Sequence, residues 1–177
     1  MMKIREFHEE DVTKIQSIYQ EAFKGFPWYE NLSIEEVNRR WKMQSDKPGS
    51  NCLVAEIGQE IVGATWWDRI TREQLLNERG EALVEFVKGF SGCDLVWLRE
   101  TCVSPKFQGQ GIAYALKQEV IEILGKSKKL ILVLTRMRED NIGIISINTN
   151  LGFKQIGIKV PSSQIEGLFH EYWYKKI

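Results

Sequence analysis

The sequence predicts an α/β protein with a mixed central sheet, and one stretch carries most of that prediction. Residues 98–103 suit an extended strand, and from Ala113 onward apolar side chains return every three or four residues, which is typical of one helix face. Residues 129–135 then form a nearly continuous apolar run, typical of a strand buried on both faces. Because a helix between two such strands makes a right-handed crossover, we expect the two strands to be parallel.

A second pattern adds antiparallel pairing to the sheet. Residues 52–57 and 61–67 are two extended runs joined by the tight turn at residues 58–60, which predicts a hairpin. The second run ends in Trp66 and Trp67, whose side chains point to opposite faces because strand side chains alternate. We therefore expect one of the two indole rings in the core.

The remaining elements are short runs with a clear period, and they bring the sheet to six or seven strands. The predicted helices cover residues 9–23, 33–43 and 141–150, with one or two more around Gly80 in residues 71–89, and the predicted strands cover residues 3–7, 153–160 and 169–175. In the last predicted helix, Ile142 and Ile145 are expected to point inward.

Length and charge limit the class of protein. A chain of 177 residues suits one domain, so we expect residues 1–177 to form a single domain with a sizeable core. Lys plus Arg and Asp plus Glu both number 24, so the overall charge indicates neither nucleic acid nor an anionic membrane as a partner.

The three cysteines indicate a reducing compartment. Cys52, Cys93 and Cys102 are an odd number with no metal-ligand spacing, so we expect free thiols and no bound metal. The first residues are charged and lack the apolar core of a signal peptide, and no apolar run approaches the length of a membrane span. The expected location is the cytoplasm.

The turn between the first strand and its helix is a candidate anion site. It reads Gln108-Gly109-Gln110-Gly111-Ile112-Ala113 and leads directly into the amphipathic helix. The first N–H groups of a helix have no partner within the helix, and the positive end of its dipole points outward there. Glycines and a small alanine let a phosphate approach those groups closely.

These residues resemble a known signature. Gln108-x-x-Gly111-x-Ala113 after a strand that ends in Val103-Ser104-Pro105 is similar to the acetyl-CoA signature of the GNAT superfamily of N-acetyltransferases, and Asn141 followed by Leu151-Gly152-Phe153 resembles its second signature. The resemblance implies the GNAT fold, with helices on both faces of the mixed sheet and two parallel strands that splay around the pantetheine arm. It also implies acetyl transfer from acetyl-CoA to a primary amine of a small molecule or peptide, and it makes a homodimer an open expectation.

The resemblance also implies site residues. Glu100 lies on the signature strand where relatives carry an acidic residue, so it is our candidate base; the alternative is a strand glutamate exposed to solvent. Aromatic residues near the two N-terminal helices and the hairpin either line the acceptor pocket or pack over the sheet: Phe26, Trp28, Tyr29, Trp66 and Trp67. The residues expected to bind the cofactor are Thr101, Cys102, Val103, Gln108, Gly109, Gln110, Gly111, Ile112, Ala113 and Asn141.

One position departs from the family pattern. Relatives often carry a tyrosine that protonates the CoA thiolate four residues before the glycine of Leu-Gly-Phe, and this chain has Asn148 there. An amide cannot act as a general acid. Three interpretations are open: water protonates the thiolate, another residue such as Tyr114, Ser146 or Tyr172 does so, or the reaction is weakened. The alternative function is therefore a non-catalytic module that binds acyl-CoA as a sensor or interaction partner.

Residues 71–89 look like an insertion relative to many GNAT proteins. A lid over the acceptor site, a dimer contact and a helix that simply covers the sheet are the three interpretations, and the last requires the fewest assumptions.

Overall fold

The computed structural model describes residues 1–177 and has the α/β architecture that the sequence predicts. Seven strands form one mixed sheet in the order β1-β2-β3-β4-β5-β7-β6. The strands are β1 (Met2–Glu6), β2 (Asn51–Ile57), β3 (Glu60–Arg69), β4 (Asp94–Val103), β5 (Ile131–Arg138), β6 (Lys154–Pro161) and β7 (Phe169–Lys176), and the helices are α1 (Val12–Lys24), α2 (Ile34–Ser45), α3 (Arg72–Arg79), α4 (Glu81–Lys88), α5 (Ile112–Gly125) and α6 (Ile142–Asn150).

The pairing of the strands confirms both sequence patterns. β4 and β5 are parallel, with a register from Asp94↔Ile131 to Trp97↔Leu134, as the crossover rule requires. β2 and β3 are antiparallel across the predicted hairpin turn. β1 pairs antiparallel with β2, and β7 pairs antiparallel with both β5 and β6.

The contacts of the chain divide it into two compact units. The first unit comprises residues 1–68 and 99–121, and the second comprises residues 69–98 and 122–177. The core of the first unit joins α1 and α2 to β2, β3 and the end of β4, and its buried members are Ile15, Ile18, Tyr19, Phe23, Val37, Val54, Ile61, Ala64, Trp66 and Cys102.

A 3₁₀ turn and a capping serine mark the starts of the two N-terminal helices. A 3₁₀ turn at Glu9–Asp11 precedes α1, where the chain carries its run of acids. Ser33 caps α2, since its hydroxyl accepts a hydrogen bond from the backbone N–H of Glu36 at 3.2 Å. α2 therefore starts where the sequence predicts, whereas α1 starts at Val12, after the acidic residues that were expected in its first turn.

The core of the second unit lies beneath the insertion. α3 and α4 meet at Gly80, whose φ of +87° suits glycine, and together they contribute Leu75, Leu83 and Val87 to a buried cluster with β4, β5 and β7. The insertion thus forms two helices, and its apolar side chains cover the sheet within this unit.

One prediction about the last helix is wrong. Ile142 is 66% exposed, whereas Asn148 and Leu151 on α6 and just after it are buried. Asn141 caps the helix, so Ile142 occupies the first helical position, and the first buried residue, Asn148, comes nearly two turns later.

The helices of the protein are too short or too polar to cross a bilayer.

Candidate active site

Close packing at Gly63 joins β3, β4 and α5 in the first unit. A Cβ atom at Gly63 would lie 2.9 Å from the carbonyl oxygen of Cys102 and 3.3 Å from Cγ2 of Ile112. Any larger residue would therefore push β4 or the first turn of α5 away. The backbone N–H of Ser104 donates to the carbonyl of Val62 at 2.8 Å and fixes the end of β4.

The turn after β4 presents backbone to solvent. A 3₁₀ turn at Pro105–Phe107 leads to Gln108, whose side-chain amide donates to the carbonyl of Val103 at 3.1 Å. Gly109 and Gly111 have φ values of +76° and +78°, and neither would meet another atom within 4 Å if it carried a Cβ. The backbone angles, rather than crowding, therefore favour glycine here.

The turn has the charge distribution of an anion site. α5 begins at Ile112, so the first N–H groups of the helix and its positive dipole end lie beside Gly109, Gln110 and Gly111. Residues 104–113 include Lys106 and no acidic side chain. Backbone N–H groups in open, positive-φ geometry suit an anion of the size of a phosphate.

Hydrogen bonds on both sides hold the backbone of Glu100 in place. The Thr65 hydroxyl lies 3.0 Å from the carbonyl oxygen of Glu100 and 2.8 Å from the hydroxyl of Thr101. Arg99 donates from Nη2 to Asp68 at 2.8 Å, and both side chains of this pair are buried. Glu100, which is half-buried, thus belongs to a fixed segment of β4.

The charge of Glu100 acts on three buried groups in the same unit. Burial and then the Glu100 carboxylate raise the pKa of Tyr19 on α1. Burial, with a smaller contribution from Glu100, raises the pKa of Cys102 to about 12, so this thiol stays protonated and is a poor nucleophile. Burial lowers the pKa of Lys117 on α5 to about 7, against the opposing influence of Glu100.

Lys117 is the residue that sequence reasoning missed. Its side chain is 3% exposed although it is a lysine. The sequence carried a usable signal, because position 117 lies four residues after Ala113 and three before Val120, within the helical stripe that was expected to be apolar. A charged residue at a buried position is almost always paired with another polar or charged group.

Arg40 anchors the phenol of Tyr19. Its Nη1 atom donates to the Tyr19 hydroxyl at 3.3 Å and lies 2.8 Å from a carboxylate oxygen of Glu30. Its Nε atom donates to Glu36 at 3.0 Å. The first unit therefore carries a charged network on α2 and the α1–α2 loop that includes the phenol near Glu100.

The five predicted aromatic residues divide by burial. Trp66 packs against Tyr19 with ring centroids 5.8 Å apart, and Trp67 is also buried. Trp28 is half-buried and stacks on Phe23 at 5.3 Å. Phe26 and Tyr29 are 66% and 68% exposed. Trp66 thus lies against Tyr19, and Trp28 lies against Phe23, which stacks on Tyr19, whereas Phe26 and Tyr29 lie at the surface.

Two asparagines of the second unit have structural contacts. The side-chain oxygen of Asn141 accepts from the backbone N–H of Ile144 at 3.3 Å and caps α6. Asn148 is 0% exposed, and its amide lies 3.5 Å from the sulfur of Met137. Among the substitutes considered for the missing acid, Tyr172 is buried against Trp97, Tyr114 is half-buried and Ser146 is exposed.

Comparison with known proteins agrees with this geometry. The sequence profile of the Acetyltransferase (GNAT) family matches residues 12–153. Among curated protein sequences, none matches this chain significantly.

Solved structures share the fold at low identity. A ribosomal-protein-alanine N-acetyltransferase from Brucella melitensis has a TM-score of 0.70 and 19% identity, with 99% of each chain covered. A putative acetyltransferase from Salmonella typhimurium, solved with its cofactor acetyl-CoA, has a TM-score of 0.68 and 19% identity over 99% of this chain and 93% of that one. A phosphinothricin acetyltransferase from Sinorhizobium meliloti, in complex with acetyl-CoA, has a TM-score of 0.70 and 18% identity over 99% of this chain and 88% of that one.

The family profile covers most of the chain and spans both the turn at Gly109 and Gly111 and the capped helix at Asn141. The protein therefore belongs to the GNAT acetyltransferase family, and it is an acyltransferase.

Proposed function

We propose that this protein moves an acetyl group from acetyl-CoA to a primary amine of a small molecule or a peptide. The observation that carries the proposal is the turn between β4, the strand of Glu100, and α5. Gly109 and Gly111 in this turn both have positive φ angles. Two structural neighbours hold acetyl-CoA, and family membership makes acetyl-CoA the acyl donor here. Residues Gln108 to Ala113 would hold its pyrophosphate, and Asn141 stays a predicted contact.

In this proposal, the protein orients the acyl donor and accepts a proton from the acceptor amine. The backbone N–H groups of Thr101, Cys102 and Val103 are the groups proposed to polarise the reacting carbonyl. Glu100 accepts a proton from the acceptor's ammonium group so that the amine nitrogen becomes a nucleophile. The bonds from Thr65 support this role, because they fix the backbone from which the carboxylate extends.

The acceptor is proposed to be a cation with an apolar part. Trp66 packs against Tyr19, and Trp28 stacks on Phe23, which itself stacks on Tyr19. Aromatic faces attract ammonium groups as well as apolar groups. The exposed rings of Phe26 and Tyr29 are proposed to contact the acceptor at the rim of the pocket. Trp67 is the fifth residue proposed to line this pocket.

The missing tyrosine is proposed to slow the reaction without preventing it. A thiolate is a good leaving group, since the pKa of a simple thiol is about 8.5. Asn148 contacts Met137 inside the second unit, which supports a structural role for this residue.

Three further features belong to the proposal. Residues 1–177 act as a single acetyltransferase domain, since the family profile runs through both compact units. The location is the cytoplasm, because Cys52, Cys93 and Cys102 are all free. A homodimer is a further possibility that sedimentation of the purified protein would test.

Release of free thiol from acetyl-CoA tests the function. Purified protein is incubated with acetyl-CoA and a panel of polyamines, amino acids, aminoglycosides and peptide N-termini. Thiol release that depends on one acceptor, with the acetylated product identified by mass, supports the proposal. Calorimetric binding of acetyl-CoA without thiol release from any amine would sink it and favour the sensor alternative.

A further inference from the structure

A cavity of about 170 Å³ opens between α2 and the sheet of the first unit. Three aromatic side chains line it: Phe7 just after β1, Trp41 on α2 and Trp66 on β3. The size suits a small organic molecule, since a protein cavity of about 150 Å³ is large enough to hold benzene.

Backbone pairing and one side-chain bond fix the lining of this cavity. The backbone N–H of Phe7 donates to the carbonyl of Cys52 at 3.1 Å, and Cys52 is the cross-strand partner of Trp66. In the last turn of α2, Gln44 donates from Nε2 to Oδ1 of Asp68 at 3.2 Å, which ties the helix to β3. The cavity is therefore part of the folded framework of the first unit.

The three rings that line the cavity lie at steep angles to one another. The ring centroid of Trp41 lies 5.4 Å from that of Phe7 at an interplanar angle of 55°, and 5.8 Å from that of Trp66 at 73°. Rings that line one cavity at such angles resemble the aromatic cages that bind ammonium ions, because the faces of aromatic rings carry partial negative charge.

The charge of the lining also favours a cation. Glu9, in the 3₁₀ turn before α1, is the one charged residue among those that line the cavity, and the polar residues there, such as Gln44 and Asn51, are uncharged. Burial raises the pKa of the Cys52 thiol, so this group adds no charge at neutral pH. An ammonium ion would be attracted by both the carboxylate and the rings, whereas an anion would meet no cationic side chain in the lining.

The cavity differs from the aromatic set proposed to hold the acceptor amine. Of those five residues, only Trp66 lines it. Tyr19, whose ring centroid lies 5.8 Å from that of Trp66, is not part of the lining, and the carboxylate here is Glu9 rather than Glu100. The two sites would therefore share one indole ring.

We propose that this cavity binds a small organic cation through its ammonium group, with Phe7, Trp41 and Trp66 as the aromatic cage and Glu9 as the counter-ion. The site is independent of the proposed acetyl transfer, since no residue assigned to donor binding or to proton transfer lines the cavity.

Titration with choline and its uncharged analogue tests the site. Choline carries a trimethylammonium group, and 3,3-dimethylbutan-1-ol has the same shape with carbon in place of the charged nitrogen. The ¹⁵N-labelled protein is titrated by NMR, with the indole N–H signals of Trp28, Trp41 and Trp66 assigned by triple-resonance methods. Choline at up to about 10 mM is expected to shift the Trp41 and Trp66 signals with one shared Kd, and the uncharged analogue is expected to bind at least about tenfold more weakly.

Two substitutions in the acidic turn give a matched comparison. Glu9→Gln removes the carboxylate of the lining and is expected to weaken choline binding about threefold to tenfold without changing the affinity for the uncharged analogue. Glu10→Gln removes the neighbouring carboxylate, which is 82% exposed and does not line the cavity, so the affinity for choline should stay within about twofold. Both glutamates are exposed, and circular dichroism verifies that each variant folds.

Three results would each overturn the proposal: a Trp41 signal that choline does not shift, equal affinities for choline and its analogue, or equal weakening by the two glutamate substitutions. A shift of the Trp28 signal without that of Trp41 would place the cation at the α1–α2 loop instead, and it would overturn the proposal as well. Because the titration involves no acetyl-CoA, a protein that transfers acetyl to no amine would still show this site.

Discussion

Two neighbouring regions of the first unit work by different physical means. The turn at Gln108 to Ala113 relies on its backbone, because positive-φ glycines and the start of α5 form the proposed anion site. The region around Glu100 depends on residues of α1, β4 and α5 that folding brings into one compact unit. Binding of the donor and transfer of the proton should therefore respond separately to substitution, and the following predictions test that separation.

The largest effect is expected from removal of the base. Glu100→Gln keeps the shape of the side chain and removes its ability to accept a proton, so kcat/KM should fall by about 10²-fold. The affinity for CoA, measured by calorimetry, should change less than about twofold, since the turn is untouched. Unchanged turnover would remove Glu100 as the base, and a comparable loss of CoA affinity would break the separation of the two regions.

The next largest effect, a loss of CoA affinity, is expected from a substitution in the turn. Gly111→Val places a β-branched residue at a φ of +78°, which costs about 1–3 kcal/mol and displaces the N–H groups. CoA should bind at least about tenfold more weakly by calorimetry. Gly58→Val is the matched control, because Gly58 has a φ of +67° in the hairpin turn and should lose similar stability with CoA affinity intact. Equal loss of affinity in both variants would mean that strain alone is responsible.

A smaller effect concerns stability and pH. The pKa of Lys117 is about 7 in the fold, against 10.5 ordinarily. Below pH 7 both the folded and unfolded chains hold this proton, so the residue adds no slope. Between pH 7 and 10.5 only the unfolded chain holds it, so its contribution to the free energy of unfolding should rise with pH by at most about 1.4 kcal/mol per pH unit.

Urea unfolding of the native protein and Lys117→Met at pH 7, 8 and 9 measures that slope by difference. The variant should be more stable than the native protein at pH 7, and this advantage should shrink as the pH rises. Parallel curves for the two proteins would mean that Lys117 titrates normally in the fold.

The smallest effect on turnover is expected at the position of the missing tyrosine. Asn148→Ala removes a buried amide beside Met137 and should cost about 1–3 kcal/mol of stability. Its kcat at a temperature well below the unfolding midpoint should stay within about threefold of the native value. A change in the shape of the pH–rate profile would instead give Asn148 a part in proton transfer.

The sequence allowed the backbone-based part of this site to be predicted. Glycine spacing and helical periodicity located the turn and α5, and the apolar run at residues 129–135 located the parallel strand β5. Such features depend on neighbours along the chain, so a single sequence contains them.

Side-chain clusters were harder to predict because they depend on contacts distant in sequence. Tyr19 and Lys117 lie on different helices, and nothing local to either residue connects it with Glu100. The inward orientation of Ile142 was wrong for a related reason, since periodicity gives the spacing of a buried face but leaves the residue at which it begins to tertiary packing. The alternation of strand side chains places Trp66 and Trp67 on opposite faces, but it does not show whether each face is covered. Both rings are buried in the structure.

The bonds on either side of Glu100 affect how acceptor preference can change over evolution. Asp68 holds Arg99 and Thr65 holds Thr101, so the backbone on both sides of Glu100 is held by residues outside the α1–α2 loop. Changes in residues 25–32, apart from Glu30 with its bond to Arg40, should then leave the strand segment that carries the proposed base in place. A designer who wishes to retarget this protein to a new amine should randomise that loop first and leave the two flanking pairs unchanged.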